Sequence, residues 1–71
     1  MGELKERQLQ ILRLVAEGCR TKEIAASLHL TDKAASHEIR NILARLGVDS
    51  RIAAVVKALK GGEIKLEEIN V

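Results

Sequence analysis

The stretch 21–48, TKEIAASLHLTDKAASHEIRNILARLGV, constrains the fold more than any other part of this chain. Apolar residues recur at helical spacing over Ile24, Ala25 and Leu28, pause, and resume over a longer run that ends at Leu46. His29, Leu30 and Thr31 separate the two runs. Each run opens with a threonine followed by charged residues, and a threonine oxygen can accept from the first free amides of a helix. Two helices joined by so short a break must cross steeply rather than run on as one.

That layout is a helix-turn-helix, and the second helix of such a unit commonly enters a DNA major groove. The rest of the composition is compatible with it. A chain of 71 residues makes one small domain, 1–71, with a thin core, since a domain of this size buries only about 60% of its unfolded surface. There is no Phe, Tyr or Trp, so the core must be built from Leu, Ile, Val and Ala, and this favours closely approaching helices. The missing aromatic residues also argue against single-strand or RNA binding, which uses stacking platforms. A net charge of +2 and a pI near 9.0 permit a nucleic-acid partner without demanding one. The single cysteine excludes a disulfide framework and fits a reducing cytoplasm. The longest apolar run, 52–56, is far short of a membrane span, and the charged N-terminus does not read as a signal peptide.

The expected fold class is all-α, with helices at about 4–17, 22–28, 32–46 and 51–60. Ile11, Leu12 and Val15 form the first apolar stripe, with Gln8 and Leu4 beside them, and Gly18 closes it. Thr21, Thr31 and Ser50 are the expected N-caps of the next three helices. Gly47 and the Gly61-Gly62 pair stop helices three and four. The tail 61–71 has weak alternation at Ile64 and Leu66 and reads as a strand-like arm, a helix extension or disorder.

Helix three can be resolved into faces at about 100° per residue. Ala35, Ile39, Ile42 and Leu46 fall within roughly 60° and make a core stripe. Lys33, Ser36, His37, Arg40 and Ala44 fall within roughly 100° on another side, with Glu38, Asn41 and Arg45 as a flank between. The exposed face thus holds small, polar and basic groups and no large apolar residue. Small residues allow close approach to base edges, and an arginine can bond guanine O6 and N7 as a fork.

With these segments in place, the chain resembles the LuxR-type DNA-binding domain. The stretch 7–18, RQLQILRLVAEG, is similar to that family's "REREVLRLIAEG", and 21–28, TKEIAASL, to its "NKEIAERL". The stretch 41–51, NILARLGVDSR, follows its "NILRKLGVRSR", a junction that sigma-factor region four lacks. The resemblance covers about residues 4–59. In length and tail the chain looks most like a stand-alone member of the family; an excised C-terminal domain of a response regulator is the alternative. It implies a four-helix LuxR-type fold and a sequence-specific transcriptional regulator of double-stranded DNA. Residues carried over by position are Ser36, His37 and Arg40 for base contacts, and Lys22, Thr31, Lys33 and Asn41 for the DNA backbone. The centre of helix three departs from the family's "TVKxH": Ser36 stands where relatives use a lysine on DNA, and Glu38 where they have a histidine touching the backbone. A carboxylate facing phosphate is repulsive, so this exchange weakens non-specific affinity.

Helix four carries a second signal. Ala54, Val55, Ala58 and Leu59 suffice for its core stripe, which leaves Ile52, Ala53 and Val56 as surplus apolar groups. Family members pair through this helix, so these three are the expected homodimer interface. RNA polymerase is a further partner that a regulator of this kind admits. The rival reading is a protein-interaction module on the same fold, supported by the small net charge, Ser36, Glu38 and the same apolar face. One cysteine and two separated histidines are too few for a zinc site, and no nucleophile stands with a base and an orienting partner. No cofactor, metal or enzymatic activity is expected. Neither a membrane partner nor any compartment but the cytoplasm is expected.

Overall fold

The computed structural model describes residues 4–69. Four α-helices, α1 (Glu6–Ala16), α2 (Thr21–Leu28), α3 (Asp32–Leu46) and α4 (Arg51–Lys60), are followed by one 3-10 turn at Leu66–Glu68. No strand occurs among the described residues. α2 packs chiefly on α3, and α1 on α4, so the helix-turn-helix pair is backed by the first and last helices.

The core is aliphatic and continuous. Ile11, Leu12, Ile24, Ile42 and Ile64 are almost wholly buried, with Ile39, Leu46, Ala54 and Ala58 beside them. Every residue of the stripe expected on α3 is buried, and Ala54 and Ala58 let α4 approach closely. Each fully buried Ile or Leu contributes roughly 1.5–3 kcal/mol.

Helix ends differ from expectation in informative ways. α1 begins at Glu6 rather than near Leu4, because the Lys5 amide is capped by the Gln8 side chain (3.0 Å). That bond explains why Gln8 is a buried polar residue. The N-cap of α2 is Arg20, not Thr21. Glu23 Oε1 accepts from the Arg20 amide at 2.7 Å, and this frees the Thr21 hydroxyl to accept from the Arg51 guanidinium. Thr31 and Ser50 cap as expected: Thr31 Oγ1 accepts from the Ala34 amide (3.0 Å) and Ser50 Oγ from the Ala53 amide (3.1 Å).

All four helices close with the same pair of backbone bonds. Cys19, Leu30, Val48 and Glu63 each donate to the carbonyl five residues back, on Leu14, Ala25, Leu43 and Ala58. The residue before each donor is left-handed. It is glycine in three cases and His29, at φ 58°, in the fourth.

The tail was expected to be an arm, an extension or disorder, and through residue 69 it is none of these. The α4 closure turns the chain back, which sends Ile64 into the core and seats Ile69 at its edge. Arg13 on α1 holds the returning segment through Glu68 (3.3 Å) while also meeting Glu6 (3.5 Å). The Lys65 amide donates to Glu68 (3.0 Å). That bond, aided by Arg13, holds the Glu68 carboxyl below its ordinary value against a smaller opposing effect of burial. Residues 70 and 71 lie outside the described range.

Candidate nucleic-acid interface

The buried stripe of α3 fixes which of its faces meets solvent. With Ala35, Ile39, Ile42 and Leu46 turned inward, Lys33, Ser36, His37, Arg40 and Ala44 are all exposed. The surface they make is polar and basic, and its one aliphatic member is an alanine. Lys22 and Thr31, at the starts of α2 and α3, are also exposed, as is Asn41 on the α3 flank. The structure thus brings Ser36, His37, Arg40, Lys33 and Asn41 onto one helix, with Thr31 at its N-terminus. The Thr31 hydroxyl accepts from an amide, and its own hydrogen remains available to donate to an anion.

Two side-chain contacts from α4 tie it to α3 and to α2. Lys57 on α4 donates to the Leu46 carbonyl at 2.6 Å, placing a cation at the negative end of α3. Arg51 ties the start of α4 to the start of α2 through Thr21. The position of Arg51 was matched to the LuxR junction, but its partner was not foreseen, because a bond across thirty residues leaves no local periodic signal.

Glu38 is not directed at open solvent. Its Oε2 lies 3.3 Å from Arg7 Nη1 on α1. The ion pair is half-exposed, with 54% of the Arg7 side chain and 26% of the Glu38 side chain accessible. The carboxylate that departs from the family pattern is therefore matched by a cation from another helix.

On α4, the surplus apolar residues are accessible. Ile52 is 79% exposed and Val56 43%, while Ala53 is half-buried. Ile52, Val55 and Val56 border a shallow groove of about 560 Å³ whose other wall is Val15, Ala16 and Cys19. Burial raises the Cys19 thiol above its ordinary value, with Glu23 and Glu17 adding to the effect. The thiol is accordingly a packing group at neutral pH. Among the described residues no helix is long and apolar enough to cross a membrane.

A four-helix unit with this closure and a polar third helix defines a helix-turn-helix domain of the kind found in bacterial regulators. The chain belongs to the luxR family of bacterial regulatory proteins, whose family model matches residues 3–58. It is 36% identical to the spore germination protein GerE of Bacillus subtilis (strain 168) over 63 residues, spanning 89% of this chain and 85% of GerE. It is 41% identical over 61 residues to the HTH-type transcriptional regulator AlkS of Ectopseudomonas oleovorans, and 40% over 57 residues to the response regulator protein VraR of Staphylococcus aureus. It spans 7% of AlkS and 27% of VraR. The solved structure of the transcription factor GerE superposes with a TM-score of 0.83 at 32% identity, covering 89% of this chain and 94% of that one. The four-helix fold and the resemblance to the LuxR-type family expected from the sequence are both borne out, and the match to GerE over most of both chains fits the expected likeness to a stand-alone member. Members of this family are transcription regulators and not enzymes.

Proposed function

We propose that this chain is a sequence-specific regulator of transcription, one domain that binds double-stranded DNA as a homodimer with α3 in the major groove. Ser36, His37 and Arg40 read base edges, with Arg40 as the fork for guanine. Lys22, Thr31, Lys33 and Asn41 fix register on the phosphates. The observation that carries this reading is the exposed face of α3, which is basic and free of bulky apolar groups in a luxR-family fold. Few phosphate contacts per monomer make pairing useful. Ile52, Ala53 and Val56 on α4 form a small isologous interface that sets two α3 helices about one DNA turn apart. A DNA partner places the protein in the cytoplasm, where RNA polymerase is available as a further contact.

The accessible apolar strip of α4 also favours a second reading, a protein-interaction module with little DNA affinity. Titration into labelled random-sequence duplex at two salt concentrations separates the two. A DNA reader loses affinity steeply as salt rises, and an apolar interface does not. Arg40→Ala is expected to cost roughly 1–3 kcal/mol on a selected site and to relax specificity at one position. Unchanged affinity and specificity in that variant rule out the docking of α3 described above.

A further inference from the structure

We propose that the cleft between the N-terminal end of α1 and the flank of α3 holds a backbone phosphate of the bound duplex, with Arg7 bridging that phosphate and Glu38. The proposal rests on the DNA-binding reading above and adds α1 to the contact surface. The cleft is about 720 Å³ and is lined by Lys5, Arg7, Glu38, Asn41, Ala44 and Arg45. Among the described residues, Lys5, Arg7 and Arg45 line it together with one carboxylate, Glu38. Ala44 belongs to the same exposed face as Arg40, and Asn41 lies just beyond its edge, so the cleft opens beside the face that meets the bases. A strand whose bases lie against Arg40 runs its phosphates along that border.

The ion pair itself points the same way. Arg7 gives Glu38 one bond, from Nη1, at 3.3 Å, and a guanidinium has five N–H donors in a rigid fork. The rest of that fork sits on a half-exposed side chain and can take a second anion in its plane. An ion pair this exposed contributes little to folding stability. Its effect on an approaching polyanion is larger. Unpaired, Glu38 would repel the phosphates beside α3. Paired, it holds the Arg7 fork at the edge of the groove and is neutralised by it.

The test uses the folded chain and a fluorescent random-sequence duplex pool, with Arg7→Gln, Arg7→Lys, Glu38→Gln and Arg40→Ala measured beside the wild type. Each variant's melting curve is recorded first. Loss of one phosphate contact lowers the slope of log affinity against log salt by about 0.9. Between about 50 and about 200 mM salt the wild type should then lose about 3.5-fold more affinity than Arg7→Gln. Arg7→Lys keeps the charge and should restore the slope. Glu38→Gln should bind more tightly than the wild type at low salt. A merely structural pair predicts wild-type affinity and slope for all three. If the wild type binds and Arg40→Ala weakens it, but Arg7→Gln and Glu38→Gln match the wild type, this proposal alone is overturned. If the wild type shows no salt-dependent binding, the DNA-binding reading falls and this inference falls with it.

Discussion

The turn between α2 and α3 offers a test in which the protein supplies its own controls. Four helices close by the same bonds, and only the α2 closure puts a side chain on the left-handed residue, His29. A left-handed conformation costs an L-residue roughly 1–2 kcal/mol, because Cβ crowds the following carbonyl. Glycine avoids this but loses more backbone freedom on folding, which offsets about 0.5–1 kcal/mol. His29 is exposed, so its replacement opens no cavity. His29→Gly should therefore stabilise the fold by about 0.5–1 kcal/mol, which for a domain of this size raises Tm by about 2–8 °C. His29→Ala keeps the positive φ and discards the imidazole, and should be no more stable than the wild type. Thermal and urea unfolding followed by circular dichroism give both values. DNA affinity should not change in either variant, since His29 is not among the residues placed on the DNA. If His29→Gly and His29→Ala were destabilised equally, the imidazole would be interacting favourably with the carbonyl end of α2, and the strain argument would be wrong.

Three further outcomes follow from the described contacts. Ile64→Ala should cost about 2–5 kcal/mol, most of the stability of so small a core, whereas Leu66→Ala, on an exposed neighbour, should stay within about 0.5 kcal/mol; equal effects in denaturant titrations would mean that the tail does not pack as described. The Glu68 carboxyl is held below its ordinary value, so its contribution is complete above the ordinary carboxylate range and is lost as pH falls through the depressed folded value. Glu68→Gln should flatten the fall of melting temperature with acid in that window, and an unchanged profile would remove Glu68 from the tail's anchorage. Ile52→Asp puts a charge on the accessible face of α4 and should leave a folded monomer by sedimentation, with steep loss of affinity on a two-half-site duplex and little on a single half-site.

What was legible in the sequence and what was not divides along a physical line. The stripes of α1, α2 and α3, the caps Thr31 and Ser50 and the stops at Gly18 and Gly47 are local signals, resolved within one or two helical turns. The exposed face of α3 followed from the same periodicity, because fixing the buried side fixes the other. The tail was missed because Ile64 and Ile69 are isolated apolar residues in a polar segment. Their burial depends on where the α4 closure aims the chain, and short windows carry no such information. Thr21 was assigned the wrong role because two capping solutions, its own hydroxyl or Glu23 on the Arg20 amide, are equally available to the string TKE. The distant Arg51 side chain decides between them.

The same division bears on the small net charge, which at first sight weighs against a DNA partner. A formal charge of +2 counts every carboxylate as if it faced the ligand. In the folded chain Glu23 is turned to the Arg20 amide, Glu68 to the Lys65 amide and Arg13, Glu6 to Arg13, and Glu38 to Arg7. Several acids are thereby spent on helix ends and on the tail, while Lys33 and Arg40 lie on the open face of α3 with Lys5 along its border. A duplex responds to the potential within about a Debye length of its phosphates, not to the total. Near neutrality overall is therefore compatible with a locally basic edge, and it limits indiscriminate adhesion to DNA. That balance suits a reader whose base contacts, rather than its charge, must decide where it rests.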